Sequence, residues 1–556
     1  MNKSNFIGFL IIGFLITILL SRTKSVNLDS KQVENSLSVV NNDAKGSVEK
    51  TQNNNEVENK NNDENRNIVE KVRSGRKKII NYVDNEEIFL ENDDIKIYFS
   101  KMGGRIKNVI LKNYKDFAGE NVELLCESNV INFALKDYNL NTAELYFDDY
   151  KIDDQCVEFN FKDGDKEILI GYKLNNSSNF EVKQYIKTGS TSADFIFNDI
   201  LKRQEASLDD CKNKTTINYF DGSKINDIQG YKSDKNLNVN NCKWVAYKQK
   251  FFTTGVCFNN NINCELSIKN IKDGLSECNL NTKLDNLNEN EIRYFFGPND
   301  PRKMKVFADS FEKNVYLGFF LVSPFNKYVI SPICGYLGSS VYSIILIVLL
   351  VLFLKILLLP VAYKIYITTL KMQLVNKIVN ILRSRSGKNP QELAMQQIFL
   401  YKEFGINPLT MLLYSILQFP FIIALYNYIP IELSFRNSSF LWCKDLSSYD
   451  SILNLGFNIP MYGSHVSLSA ILLGITMLIY LMLNNTQMEQ SNNKLGAFQI
   501  FFMIFMIVIS NRFCCALNFY YLFFNIVTFL IQFVLNKVVD ITEFKNRVDR
   551  KIEQLR

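Results

Sequence analysis

The chain has 556 residues, 47% of them hydrophobic and 22% charged, with a net charge of +6 and one histidine. That histidine, His465, leaves no imidazole pair for acid–base work, no His-based hydrolytic triad and no His-rich metal cluster. The charge balance is modest for this length and gives no case for a nucleic-acid partner.

The composition averages over unlike segments. Phe6 to Leu20 is a short apolar run preceded by Lys3, and Ser21-Arg22-Thr23-Lys24 after it offers no small-residue cleavage pattern. Residues 1–23 are therefore expected to form an uncleaved transmembrane anchor. Residues 24–81, rich in Asn, Lys, Glu and Ser and poor in aromatics, cannot bury enough apolar surface to fold and read as a disordered tether.

From Tyr82 the pattern alternates, as in Ile95-Lys96-Ile97-Tyr98-Phe99 and Phe180-Glu181-Val182, with Asn, Asp and Gly between such runs. This marks half-buried strands, and residues 82–316 are expected to form an all-β sandwich domain. Its seven cysteines, Cys126, Cys156, Cys211, Cys242, Cys257, Cys264 and Cys278, are odd in number and form no Cys-x-x-Cys pair. They fit small buried residues, with room for one or two disulfides.

Residues 317–340 lead into the apolar part of the chain. There Pro324 to Ser331 puts Phe325, Tyr328 and Val329 on one helical face, either lying flat at a membrane interface or packing against the β domain. Val341 to Ala362 then reads VYSIILIVLLVLFLKILLLPVA, about 22 residues, long enough at ~1.5 Å per residue to cross a ~30 Å hydrocarbon core. One charge, Lys355, interrupts it. An ionisable group at that depth costs roughly 3 kcal/mol, so it either faces protein, water or a ligand, or snorkels toward the interface near Lys364.

In residues 364–404, Ile367, Leu370, Leu374, Ile378 and Ile381 recur three or four apart before a break at Gly387-Lys388-Asn389-Pro390. The pattern predicts a hairpin of two amphipathic helices. Its excess of basic residues, among them Lys371, Lys377, Arg383, Arg385 and Lys402, places it in the cytoplasm. Four more apolar runs follow: Leu409 to Ile429, Ser467 to Leu483, Phe498 to Asn511 and Cys514 to Leu535. With the first segment and the Lys355 helix they make six predicted spans, five of them in a core of residues 341–536, and residues 537–556 form a cytoplasmic tail. The expected fold is a polytopic α-helical membrane protein with an inserted all-β periplasmic domain and both termini cytoplasmic, in the inner membrane of a double-membraned bacterium.

Several short stretches carry a resemblance. They are Lys355 to Pro360, Tyr401-Lys402 with Asn407-Pro408-Leu409, Gln418-Phe419-Pro420 with Ala424-Leu425-Tyr426, Leu441-Trp442 with Asp445-Leu446-Ser447, and Tyr520-Tyr521 with Asn525. In the β region, Gly103-Gly104-Arg105-Ile106, Trp244-Val245-Ala246 with Phe251-Phe252, and Phe296-Gly297-Pro298 add to them. In order and spacing these resemble the YidC/Oxa family of membrane protein insertases over nearly the whole chain except the tether. Two turns depart from the family pattern: Cys514-Cys515-Ala516 replaces a Pro-Ser-Gly-like turn, and Thr410 to Tyr414 replaces a Gly-Cys-x-Pro motif.

The resemblance implies a β-supersandwich periplasmic domain and an insertase and chaperone for newly made membrane proteins, working alone or with the Sec translocon. It implies a hydrophilic groove in which Lys355 takes the place of the family's usual arginine, with Gln418, Tyr520 and Tyr521 as further lining. Packing and interfacial anchoring compete for the two tyrosines. The partners implied are nascent membrane proteins, Sec components, the lipid bilayer and, weakly given the mildly basic tail, the ribosome. No nucleotide motif, cofactor, metal or catalytic residue is expected, the energy coming from apolar burial at ~25 cal/mol per Å² and from the membrane potential.

Two rival readings follow from the residues. A secondary transporter would use Lys355 as a substrate or ion site, but transporters carry internal repeats, and none is evident. An anchored carbohydrate enzyme would need a catalytic carboxylate pair in the β domain, and no spacing singles one out.

Overall fold

The computed structural model describes residues 87–555 apart from residues 176–178, 230–234, 272–274, 339–340, 386–389, 408–416, 418–419, 485–500 and 502–503. The anchor and tether expected in residues 1–81 lie outside the described residues, as does Gln418.

The alternating segments form strands as their pattern requires. In Ile95–Ser100 the residues Ile95, Ile97 and Phe99 are buried while Lys96 and Tyr98 are half-exposed, so one face of the strand meets the core. Ile88–Glu91, Ile95–Ser100, Arg105–Lys115 and Asn121–Leu125 make a four-stranded antiparallel sheet. A second, larger sheet has 13 strands. Its longest, Phe252–Asn270, serves both halves, pairing first with Glu291–Pro298 and then with Ser276–Asp285. The two sheets share a core of Phe99, Phe133, Phe159, Tyr172, Phe195 and their neighbours. All eleven cysteines are free thiols.

That core continues through Met304, Phe307 and Phe311 into Ile330, Cys334, Leu346 and Leu350, so the β domain and the helical part share one apolar interior. The stretch after the β domain is helical over Ser323–Phe325 and Ser331–Leu337 with a π-type turn, Asn326–Ile330, between. The wider turn shifts the helical register. Phe325, Tyr328 and Val329 therefore do not share a face: Phe325 packs edge-on against Phe421 at 5.0 Å and Val329 packs on the core, while Tyr328 is 71% exposed. Asn326 fastens the turn, its buried Nδ2 donating to the carbonyls of Leu317 and Ala424, both at 2.8 Å.

The Lys355 helix differs from the expected span followed by a separate hairpin arm. It is continuous over Ser343–Arg385, 43 residues, with Pro360 inside. A proline removes one backbone hydrogen bond, but neither glycine nor a cap follows it, so the helix propagates to Arg385. Among the described residues, only this helix and Cys515–Val538 are long and apolar enough to cross a bilayer. Six spans are thus not established. Pro420–Ile431 and the 17-residue Leu468–Asn484 helix are shorter, and only residues 504–510 of the expected Phe498–Asn511 run form a continuous described helix.

The tail is no loose end. Thr542–Leu555 is a helix whose wholly buried Val548 packs with Val375, Ile378, Val379, Leu400, Phe404 and Ile406 of the hairpin. Phe544 meets Phe404 at 5.7 Å, and Lys551 pairs with Glu403 at 2.8 Å.

Candidate functional site

Lys355 sits between two faces of its helix. Val351, Leu354 and Leu358 are buried toward the protein, while Ile345, Leu349, Leu352, Ile356 and Leu359 recur at helical spacing on an exposed apolar stripe. Such a stripe, with nothing but hydrocarbon side chains, suits lipid. The Cys515–Val538 helix presents a similar one through Ile526, Leu530, Phe533 and Val534.

The half-buried Lys355 turns to the Cys515–Val538 helix. Its Nζ donates to Thr528 Oγ1 at 2.6 Å and stands 3.2 Å from the centroid of the Phe524 ring. Thr528 in turn donates to the Phe524 carbonyl at 2.6 Å, a back-bond to residue i−4. The ammonium therefore has a hydroxyl, a π face and, among the described residues, no carboxylate partner. A cation is stabilised by an aromatic face, more so when desolvated.

Tyr520 lies one turn from Phe524, with ring centroids 5.9 Å apart. Its side chain is wholly buried and, among the described residues, its hydroxyl has no hydrogen-bond partner. Tyr521 is half-buried, its ring 5.2 Å from that of Tyr520. The structure thus brings Lys355, Phe524, Thr528 and Tyr520 to one helix–helix seam.

A polar stripe, of which the sequence reading named only Tyr521 and Asn525, joins the Cys515–Val538 helix to its two neighbours. Asn518, Tyr521, Asn525, Thr528 and Gln532 recur three or four apart in an otherwise apolar helix. Asn518 donates to Ser469 Oγ at 2.9 Å, and Asn525 donates to Thr476 Oγ1 at 3.1 Å, both on the Leu468–Asn484 helix. Thr528 takes Lys355. The periodicity was available in the sequence; its partners, up to 173 residues away, were not.

On the hairpin, Tyr401 ties the two arms by donating to Asn376 Oδ1 at 2.8 Å. Lys377 and Lys402 are exposed, and Lys371 lies 5.3 Å from the Phe544 ring. Arg383 and Arg385 lie at the end of the first arm, where the side chains are outside the described residues.

At the opposite end, the buried Arg436–Glu205 ion pair and a hydrogen bond from the buried Lys250 hold the β domain to the loop after Pro430. Lys250 donates to Asp210 Oδ2 at 2.7 Å and to the Ser447 carbonyl at 2.9 Å. Asp450 in that loop accepts from Ser467 Oγ at 2.5 Å, Ser469 Oγ at 2.6 Å, Ser469 N–H at 3.0 Å and Trp442 Nε1 at 2.9 Å. His465 stacks on Tyr449 at 3.9 Å with Nε2 2.9 Å from the Asn511 carbonyl oxygen, a structural placement.

A large β domain fused to apolar helices with lipid-suited faces, and a cation, Lys355, at a helix seam, defines the class: a membrane-bound protein with a large domain outside the bilayer. The comparisons with known proteins agree. A model of the YidC periplasmic domain matches residues 87–329, and a model of the 60Kd inner membrane protein matches residues 336–543. The membrane protein insertase YidC of Amoebophilus asiaticus is 32% identical over 504 residues, 84% of each chain. That of Cytophaga hutchinsonii is 29% identical, covering 84% of this chain and 81% of its own.

The chain belongs to the YidC family of membrane protein insertases. It acts on newly made membrane proteins at the bilayer of the inner membrane, with its β domain in the periplasm, and its work is polypeptide insertion rather than covalent chemistry. Membership displaces the transporter and carbohydrate-enzyme readings.

Proposed function

We propose that Lys355 is the charged point of a groove through which hydrophobic segments pass from the cytoplasmic side into lipid, attracting acidic residues of the incoming chain. The observation that carries this is an ammonium inside an apolar helix, held by Thr528 and Phe524 with no carboxylate partner among the described residues. A cation without a fixed anion keeps its attraction for a transient one, and that attraction, ~1 kcal/mol at 4 Å in water, grows several-fold at lower effective dielectric. Gln418 and Tyr521 are further lining in this reading, and Tyr520 backs the seam.

The exposed cations Lys377 and Lys402, with Lys371, Arg383 and Arg385, make the hairpin the receiving surface at the cytoplasmic face. Six spans with both termini cytoplasmic, cooperation with the Sec translocon and a weak ribosome contact complete the proposal. The outward apolar stripes of the Lys355 and Cys515–Val538 helices support the membrane placement.

The test is complementation of an insertase-depleted bacterium, scored by protease accessibility of a small membrane protein with an acidic outer tail. Wild type and Lys355→Arg restore insertion, whereas Lys355→Glu does not. Full insertion by Lys355→Glu would overturn the charge attraction while leaving family membership untouched.

A further inference from the structure

The loop after Pro430 carries one cysteine, Cys443, and the Cys515–Val538 helix begins on another, Cys515. They lie 72 positions apart in sequence, yet their Sγ atoms and an Asp450 oxygen all fall within 4.8 Å of one another. Cys443 is 2% exposed and Cys515 is fully buried. Both are free thiols here.

Backbone contacts hold the two together independently of the sulfurs. Cys515 N–H donates to the Ser448 carbonyl at 2.7 Å and Ala516 N–H to the Leu446 carbonyl at 2.8 Å, pinning the helix start to the loop. Cys443 closes a tight turn by exchanging backbone hydrogen bonds with Phe440, both at 2.9 Å. The loop also touches the β domain directly, through Ser447 and Lys250, so the pair lies on the periplasmic side, where thiols meet oxidising conditions.

We propose that Cys443 and Cys515 form a disulfide that staples the outer loop to the start of the Cys515–Val538 helix. A disulfide needs its sulfurs at about 2.05 Å, and these two, already within 4.8 Å of each other, have the remainder to close by rotation about their side-chain bonds. In the reaction each thiol gives up its proton and one Sγ–Sγ bond forms. The two electrons and two protons pass to the disulfide of a periplasmic dithiol oxidoreductase, which leaves as its dithiol.

A metal ion bound by Cys443, Cys515 and Asp450 is the competing use of the cluster. Asp450 argues against it, because its two oxygens already accept four hydrogen bonds from Ser467, Ser469 and Trp442, and Cys515 Sγ approaches Oδ1 at 3.7 Å. A metal would have to break that set to gain its third ligand.

The full chain in bacterial membranes is lysed in denaturant with a first alkylating label, reduced, given a second label of different mass, and read by peptide mass spectrometry. Denaturant removes burial as a source of protection. The expected result is that Cys443 and Cys515 take only the second label, that a non-reduced digest contains their two peptides joined, and that Cys443→Ser makes Cys515 take the first label. In Cys514→Ser the protection of Cys515 persists. First label on both residues of the wild type overturns the proposal, and stoichiometric zinc in the purified protein with both thiols labelled replaces it with a metal site.

Discussion

Arg436 of the outer loop reaches 231 residues back to Glu205 of the β domain, its Nε 2.9 Å from Glu205 Oε1, with the two side chains 4% and 8% exposed. Arg436 also donates to the carbonyls of Lys115 and Gln204 and lies 4.9 Å from the Phe252 ring. Burial pushes the Glu205 carboxyl up, against the pull of Arg436 and Lys250. The pair is thus a registration device between two parts of the chain more than a source of net stability.

Removing one partner leaves the other buried and uncompensated. Arg436→Ala is expected to cost on the order of 3–5 kcal/mol, while the double variant Arg436→Met with Glu205→Leu recovers part of that loss. Equilibrium urea unfolding in detergent, followed through buried Trp244, measures both. Equal loss in the single and double variants would show that the backbone carbonyls, not Glu205, hold Arg436.

Asp450 sets an acid limit on the outer loop. Burial alone would raise its carboxyl, but donors from Ser467, Ser469 and Trp442 outweigh burial and hold it below 3.8. A depressed carboxyl contributes stability that is fully present above the unfolded value and lost as pH falls through the folded one. Melting temperature is therefore expected to show no Asp450-dependent fall from pH 7 to about 5 and to decline at lower pH. Asp450→Asn should melt lower at pH 7 and lose that part of the acid decline.

Thr528 supplies the only side-chain oxygen bonded to the Lys355 ammonium among the described residues. Thr528→Val keeps the shape and removes the hydroxyl. A hydrogen bond to a charged group contributes about 1.5–3 kcal/mol, and the half-exposure of Lys355 puts the expected loss at the lower end. Thermal melting of the purified protein reads this loss; an unchanged melt would mean the aromatic face alone suffices.

Val548 plugs the C-terminal helix into the hairpin. Val548→Ala should cost about 1–2 kcal/mol of local stability, and Val548→Asp should release the helix altogether. Limited proteolysis between Thr542 and Leu555 would then proceed rapidly while the β domain stays resistant. Unchanged proteolysis of Val548→Asp would show that Phe544 and the Lys551–Glu403 pair suffice to hold it.

What the sequence disclosed depended on the range of the forces involved. Alternation in Ile95 to Phe99 is a local property and announced the strands. Lys355 stood out because one charge in an apolar run is costly wherever its partners lie. Phe544, Val548, Ile552 and Leu555 recur four, four and three apart, so the tail helix was readable, but its basic surroundings drew the reading toward a solvated tail. Pro360 lies inside the predicted Val341–Ala362 span and inside the observed helix, as an apolar helix tolerates. The ion pair of Arg436 with Glu205 and the hydrogen bond of Lys250 to the Ser447 carbonyl join residues 231 and 197 positions apart and left no local trace.

The unbroken Ser343–Arg385 helix is also a lever. At ~1.5 Å per residue its 43 residues extend about 64 Å, and Lys355 and Val375 on it stand about 30 Å apart. The hairpin and the Thr542–Leu555 helix grip one arm of this lever through Val375 and Ile378, and the β domain's core grips the other through Leu346 and Leu350. Pro360 lies between the two grips without ending the helix, so the two apolar clusters are fixed to one continuous rod.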